Sequence, residues 1–390
     1  MLILLLILVA LFGYGAWEYR GHQQRLRLIP LRIHVNGSRG KSSVTRLIAA
    51  GLRAGGIRTV GKVTGTLPRI IDPEGREIAI VRDQPANIIE QIKIIRYVQR
   101  WQPQAIVIEC MAVLPDYQWI CEHEFIKATI GVVTNARLDH INEMGKFREQ
   151  IARSLANTVP RNGKFFTSEK SHLGVFEEAG ARLGSQVQRI GSSAMTAEEM
   201  KSFSYIEHPA NVGLSLAVCQ AAGVDRETAL KGMYDVIPDS GALRVALCRE
   251  GDKEILFANA MAANDPESTL VIWKQIEEQF QPTGTVILQL NSRSDRQDRS
   301  VQLIEMAAGN INFDYLVLTG ENLHKFMALA LRYRIPKSKL VGLGWVKPEK
   351  AYEELFKLVQ DKGTVLGIGN MGAGGIDIFR YFYKNRGTTN

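Results

Sequence analysis

The stretch Val35-Asn36-Gly37-Ser38-Arg39-Gly40-Lys41-Ser42-Ser43 constrains this chain more than any other. An alternating, strand-like run, Leu31–Val35, leads into it, and a helical pattern, Ser42–Ala54, leaves it. Small residues let consecutive backbone N–H groups curl around a phosphate, and the helix N-terminus behind them adds a positive dipole. Lys41 is placed to reach β/γ-phosphates as a point charge, and Ser42 to put its hydroxyl on Mg²⁺. The longer G-x-x-x-x-G-K-[ST] loop would need glycine at position 35, where Val35 stands; the form present is the shorter G-x-x-G-K-S, Gly37 to Ser42. A strand, loop and helix of this kind belong to a parallel α/β sheet. The expected ligand is ATP, cradled by Gly37, Ser38, Arg39, Gly40, Lys41, Ser42 and Ser43.

The rest of the sequence repeats the alternation. Ile78–Val81, Ala105–Cys110 and Ala128–Val133 read as strands, with helices predicted over Ala86–Arg100 and Phe147–Thr158. Such alternation implies βαβ units and a parallel sheet covered on both faces. A helical region, Asn211–Met233, precedes the breaker cluster Ile237-Pro238-Asp239-Ser240-Gly241, a natural domain boundary. Beyond it, strands are predicted over Thr285–Leu290, Tyr315–Leu318, Leu340–Leu343 and Thr364–Gly367. Helices are predicted over Asp265–Phe280, Leu323–Arg334 and Pro348–Val359. The expected fold is α/β: a P-loop parallel-sheet ATPase domain over 20–240, then a smaller Rossmann-like domain over 241–390.

Met1–Trp17 carries no charged side chain, and Arg20, Arg25, Arg27 and Arg32 follow it. That run is at the short end of the roughly 17–25 residues a spanning helix needs. The basic flank places the remainder in the cytoplasm by the positive-inside rule. A cleaved signal peptide would carry basic residues before the apolar run, and there are none. A single-pass membrane anchor over 1–19 is expected, with the catalytic body in the cytoplasm. The net charge of +8 suits an anionic partner, but basic residues are scattered rather than interleaved with aromatics, so no nucleic-acid module is indicated. Cys110, Cys121, Cys219 and Cys248 form no C-x-x-C pair, which excludes a zinc ribbon or a disulfide framework.

Three predicted strands end in polar groups. Ala105–Ile108 ends in Glu109, a carboxylate for Mg²⁺ or its water at the sheet's C-terminal edge. The next strand ends Thr134-Asn135 and is followed by Asp139-His140; His140 is a candidate ligand or polariser near phosphate, with Asp139 as its orienter or as a helix cap. Arg293, Arg296 and Arg299 recur every three residues after the strand Thr285–Leu290, with Asp295 and Asp298 between them. Guanidinium forks suit a substrate with two carboxylates per unit, and a self-neutralising ion-pair network is the rival reading.

The order Gly37–Ser43, Glu109, then Thr134-Asn135…Asp139-His140 resembles the Mur ligase superfamily of ATP-dependent amide synthetases. That resemblance implies that Glu109 and His140 bind a second Mg²⁺. His208-Pro209-Ala210-Asn211 with Leu216-Ala217 is similar to the family's adenine-reading segment and implicates Asn211. Gly241-Ala242-Leu243-Arg244 is similar to the region whose Arg contacts ATP phosphates, and Asn264-Asp265-Pro266-Glu267-Ser268 to the H-N-P-x-S segment. More narrowly, the sequence resembles the ligase subunits of bacterial poly-γ-glutamate synthases. Their features are matched by the anchor running into N-G-x-R-G-K-S, Glu109–Val113 (E-C-M-A-V), Pro115–Gln118 (P-D-Y-Q), Ala262–Asp265 (A-A-N-D) and Asn291–Arg299.

Two departures bear on mechanism. The domain that Mur ligases proper use for a nucleotide-sugar peptide is absent. Gln150–Ala156 also contains no counterpart of the carbamylated lysine found in several relatives.

The resemblance implies an ADP-forming ligase that polymerises glutamate through γ-carboxyl groups for a capsule or secreted polymer, beside other membrane subunits of a synthase and export complex. In its roles Lys41, Glu109, His140 and Arg244 are catalytic, while Asn264, Asp265, Arg293 and Arg296 meet substrate. The alternatives are a Mur-like amino-acid ligase with another acceptor, a membrane-anchored P-loop phosphotransferase or ATPase, and a non-catalytic nucleotide-binding scaffold.

Overall fold

The computed structural model describes residues 2–65, 68–82, 85–203, 205, 207–238, 244–261, 263 and 265–385, the side chain of Gln279 excepted. The chain divides into two compact units, Met1–Ser240 and Gly241–Asn390.

The first unit opens with one helix, Leu2–Arg27, exposed at every residue through Arg20. Among the described residues it is the one helix long and apolar enough to cross a membrane, with a mean hydropathy of 1.9. It runs without a break past position 19, and its last turns belong to the body. His22 and Leu26 are buried, His22 Nε2 donates to the Phe125 carbonyl at 2.8 Å, and Gln99 Nε2 donates to the Arg25 carbonyl at 3.2 Å.

The strands of the first unit are β1 (Leu31–Asn36), β2 (Thr59–Val63), β3 (Arg69–Ile71), β4 (Glu77–Ala79), β5 (Ala105–Glu109), β6 (Ile130–Val133), β7 (Lys164–Thr167) and β8 (Gln186–Arg189). They form one sheet in the order β4-β3-β2-β5-β1-β6-β7-β8. From β2 to β8 across this order, each neighbouring pair is parallel. β5 shows why its sequence reads as an unbroken apolar run. Val107 packs with Ile33, Leu47 and Leu214 on one face, and Ile106 and Ile108 with Ile94, Ile95 and Val98 on the other.

Ile78–Val81 does not enter a βαβ unit as expected. β4 pairs antiparallel with β3, because Asp72 Oδ1 accepts from the N–H groups of Glu74 and Arg76 and closes a tight hairpin there. The helix predicted over Ala86–Arg100 is confined to Glu90–Val98, followed by a 3₁₀ turn.

The second unit has β9 (Arg244–Glu250), β10 (Lys253–Asn259), β11 (Thr285–Ser292), β12 (Tyr315–Gly320), β13 (Leu340–Gly344) and β14 (Lys362–Gly369). Their order is β13-β12-β11-β14-β10-β9, parallel throughout except for the antiparallel β9–β10 pair. This hairpin is absent from the sequence reading, since Arg244–Glu250 mixes charged and apolar residues as an edge strand does.

Candidate active site

β1 lies between β5 and β6, so the chain turns from one side of the sheet to the other at its C-terminal end. An open α/β sheet forms its ligand crevice at such a point. The loop after β1 fits there because of two glycines. Gly37 has φ +131°, and a Cβ on it would sit 2.0 Å from Thr134 Oγ1. Gly40 has φ +83° and precedes the helix Lys41–Ala54; a Cβ on it would sit 2.8 Å from Asn211 Oδ1. Both positions combine a left-handed backbone with a neighbour too close for any side chain.

The end of β6 braces the loop from outside. The Ser38 N–H donates to the Asn135 carbonyl at 2.9 Å, Thr134 Oγ1 and Asn135 Nδ2 both donate to the Arg39 carbonyl, and Ser38 Oγ donates to the Arg137 carbonyl. Lys41 folds back over the loop, its Nζ 2.6 Å from the Gly37 carbonyl. A ligand anion at the loop would compete for the same ammonium.

Beside it, Ser42 Oγ donates to Glu109 Oε2 at 2.9 Å, and the Thr64 N–H donates to the same oxygen at 2.8 Å. Glu109 is 2% exposed. Burial pushes its carboxyl above the ordinary range, while Lys41, the Thr64 N–H, Ser42 and Lys62 pull the other way. A lone carboxylate charge is costly at this depth. A hydroxyl and a carboxylate brought to one point there form a donor set suited to a hard, oxygen-seeking dication.

Further groups at this edge carry no motif signal in the sequence pattern. Lys62, at the end of β2, is fully buried with its Nζ 3.0 Å from Glu90 Oε1, and Glu90 also receives Arg82 Nε at 2.6 Å and Nη2 at 3.0 Å. Burial lowers Lys62. Arg82 Nη2 also donates to Thr64 Oγ1 at 3.3 Å, which links this cluster to Glu109 through Thr64. On the other side, buried Glu207 accepts from Ser43 Oγ, from Asn211 Nδ2 at 2.9 Å and from the His208 N–H at 2.8 Å. The available signals were a lysine closing an apolar strand and an acid just before His208.

Sequence-predicted residues fall into two groups in the first unit. Gly37, Ser38, Arg39, Gly40, Lys41, Ser42, Ser43, Glu109 and Asn211 share one neighbourhood. His140 follows the end of β6. It caps the short helix Ile141–Met144 at φ +47°, and its ring nitrogens lie 4.0 Å from Asp139 and from Glu143. Asp139 also lies 3.7 Å from Arg39. Among the described residues no group of three or more His, Cys, Asp or Glu could hold a metal ion. In the region without the family's modified lysine, Ile151, Ala152 and Leu155 pack as core.

In the second unit, Arg244 opens β9 with its guanidinium 5.8 Å from the Tyr383 ring centroid; Gly241, Ala242 and Leu243 lie outside the described residues. Asn264 lies outside them too. Asp265 is buried and caps the helix Pro266–Phe280, its Oδ1 accepting from the Ser268 N–H at 2.9 Å.

Arg293 pairs with Asp295 at 2.7 Å beside the loop after β14, while Arg296 precedes the helix Gln297–Asn310. That loop, Gly369 to Gly375, is another signal the sequence reading passed over. Asn291 Nδ2 donates to the carbonyls of Asn370 at 2.7 Å and Gly372 at 2.6 Å, and Ala373 adopts φ +55°. The side chain of Arg293 packs on Gly372, whose added Cβ would meet Nη1 at 3.0 Å.

Comparison with known proteins agrees with this architecture. Residues 35–236 match the Mur ligase middle domain, and residues 245–385 match the poly-gamma-glutamate synthase CapB C-terminal domain. The chain is 36% identical to the PGA synthase CapB of Bacillus subtilis over 374 residues, covering 95% of each chain. It is also 36% identical to the capsule biosynthesis protein CapB of Bacillus anthracis, covering 93% of this chain and 78% of that one. In three dimensions it is similar to E. coli FolC in complex with DHPP and ADP (TM-score 0.65, 15% identity, 95% and 93% covered). A bifunctional folylpolyglutamate synthase/dihydrofolate synthase from Yersinia pestis complexed with AMPPNP and Mn is equally similar (TM-score 0.67, 14% identity, 93% and 92% covered). The chain belongs to the CapB family of poly-γ-glutamate synthases, ATP-dependent ligases built on the Mur ligase middle domain.

Proposed function

We infer that this chain joins glutamate units through γ-carboxyl groups at the expense of ATP, using the loop at the end of β1. The observation that carries the reading is the meeting of Lys41, Ser42 and Glu109 at one buried point beside that loop. A carboxylate is a poor electrophile. Transfer of the γ-phosphoryl group to a γ-carboxylate oxygen releases ADP and leaves an acyl phosphate; attack by a glutamate amine then expels phosphate and closes the amide.

The loop N–H groups and Lys41 hold phosphate oxygens and balance charge as the phosphoryl group moves. Ser42 and Glu109 would hold Mg²⁺, which when bound supplies charge neutralisation at the phosphates. Glu207 fixes Ser43 and Asn211 and so the start of the helix behind the loop. Arg244 is proposed for ATP phosphates. Arg293 and Arg296, beside the braced loop after β14, are proposed for substrate carboxylates together with Asn264 and Asp265. His140, whose neighbour Asp139 lies 3.7 Å from Arg39 of the loop, is proposed as a further metal ligand. The helix Leu2–Arg27 is proposed as a single-pass anchor that keeps the body cytoplasmic beside other membrane subunits.

The test uses the full-length protein with ATP, Mg²⁺ and labelled glutamate. Glutamate-dependent ADP release with a γ-linked product by mass analysis supports the reading. ADP release without any amide would reassign the chain as an ATPase or phosphotransferase.

A further inference from the structure

A pocket of about 450 Å³ lies at the opposite edge of the first sheet, beside the last exposed turn of the helix Leu2–Arg27. Arg32, Lys127, Arg161 and His123 supply its basic wall, and Tyr19 stands at its rim. Two carboxylates also line it. Glu122 is already spent, with Oε2 on His34 Nδ1 at 2.8 Å and Oε1 accepting from the Ala128 N–H at 2.8 Å; Glu124 is half-buried. The Arg32 guanidinium is locked in place by the carbonyls of Leu26, Ile29, Ile126 and Lys127.

The independent observation is His123. It is 7% exposed, and its buried Nε2 has no hydrogen-bond partner among the described residues. A buried polar nitrogen left unpaired is costly, and the residue that carries it is part of the wall of this cation-rich cavity. Among the described residues Lys127 Nζ is held by Gln23 Oε1 at 2.8 Å and the Tyr19 hydroxyl at 3.4 Å, and Arg161 is exposed. Both can turn to an anion at little cost.

We propose that this pocket binds the phosphate-bearing headgroup of an anionic phospholipid, held by Arg161 and Lys127 against the wall that contains His123 and Arg32. The membrane is the source because the pocket begins where the exposed apolar helix ends, and Tyr19 is the kind of amphipathic ring that settles at the headgroup level. The proposal rests on the anchor reading above.

Full-length protein in neutral detergent is melted with added phosphatidylglycerol, phosphatidylcholine, inorganic phosphate or soluble polyglutamate. Phosphatidylglycerol alone is expected to raise Tm, by roughly 2–5 °C. The rise should disappear in the double variant Arg161→Gln/Lys127→Gln and shrink in Arg161→Glu, each keeping the wild-type Tm without lipid. An equal rise with phosphatidylcholine, phosphate or polyglutamate overturns the proposal, as does an unaltered rise in the variants or none in the wild type. Sedimentation with washed membranes separates the two readings. A chain that fails to sediment defeats the anchor; one that sediments yet ignores phosphatidylglycerol defeats only the pocket.

Discussion

Lys41 and Glu109 occupy the same corner of the first sheet but answer to different forces. Among the described residues Lys41 Nζ bonds to the loop carbonyls of Gly37 and Ser38, so truncating it should remove the charge proposed for phosphate and little of the fold. Lys41→Ala should lower glutamate-dependent turnover at least ~100-fold while Tm stays within a degree or two of wild type. Retained turnover in that folded variant would defeat the loop assignment. Glu109 sits deeper and is held by Ser42 and Thr64. Glu109→Gln keeps the shape and deletes the charge, so activity should fall by roughly 10²–10³ and the Mg²⁺ dependence should shift to higher concentration, with ATP affinity nearly unchanged. Wild-type behaviour across a Mg²⁺ titration would leave Glu109 as a strand-end acid.

Arg293 presents the same question in the second unit. Its bond to Asp295 is exposed, and exposed pairs contribute little to stability. Arg293→Ala and Arg296→Ala should therefore raise the glutamate KM with Tm unchanged, the signature of lost uniform binding. A lower Tm with normal KM would identify a structural ion-pair network instead.

Among the elements, β1 was the most legible in the sequence, because its apolar alternation and its glycines serve one geometric purpose. β5 was legible for the same reason: burial on both faces demands an apolar run. What stayed hidden was polar and distant in sequence. Lys62 and Thr64 at the end of β2 and Glu90 at the start of the helix Glu90–Val98 gather near Glu109 from two segments, and no local pattern announces such a meeting. The hairpin β3–β4 was misread because its apolar alternation is the same whether a strand pairs parallel or antiparallel.

His34 on β1 was equally silent. It is fully buried and its Nδ1 lies 2.8 Å from Glu122 in the helical turn Cys121–Ile126. Burial alone would lower its pKa, but the Cys110 sulfur and the Glu122 carboxylate outweigh burial and raise it to about 9. A raised folded-state pKa gives stability that is complete below the unfolded value of about 6.5 and lost as pH rises through about 9. Denaturant melts between pH 6 and 9.5 should show that decline, and His34→Gln should flatten it. A wild-type curve already flat across the range would mean that His34 is neutral when folded.

For the whole chain, the helix Leu2–Arg27 changes environment along its length. Residues through Arg20 are exposed, whereas His22 and Leu26 are packed into the body. Deleting residues 2–19 should release a soluble protein that still binds ATP and folds normally. Deleting residues 2–27 should in addition cost about 3–5 kcal/mol, from the lost Leu26 packing and the His22 bond, measured by denaturant midpoint. A 2–19 deletion that cannot fold would place the apolar run in the core after all.

The turns of this helix that dock on the body touch Gln99, Phe125 and Lys127, at the edge where the parallel strands begin, while the phosphate loop stands where β1 ends. A six-residue strand is about 20 Å long. With the helix as the proposed anchor and the loop as the proposed ATP site, tether and chemistry hold opposite rims of one sheet. A polyanion made at the far rim would then be delivered about a strand's length from the proposed point of attachment. On that reading its collection falls to another subunit of the proposed synthase complex, one that reaches across the sheet.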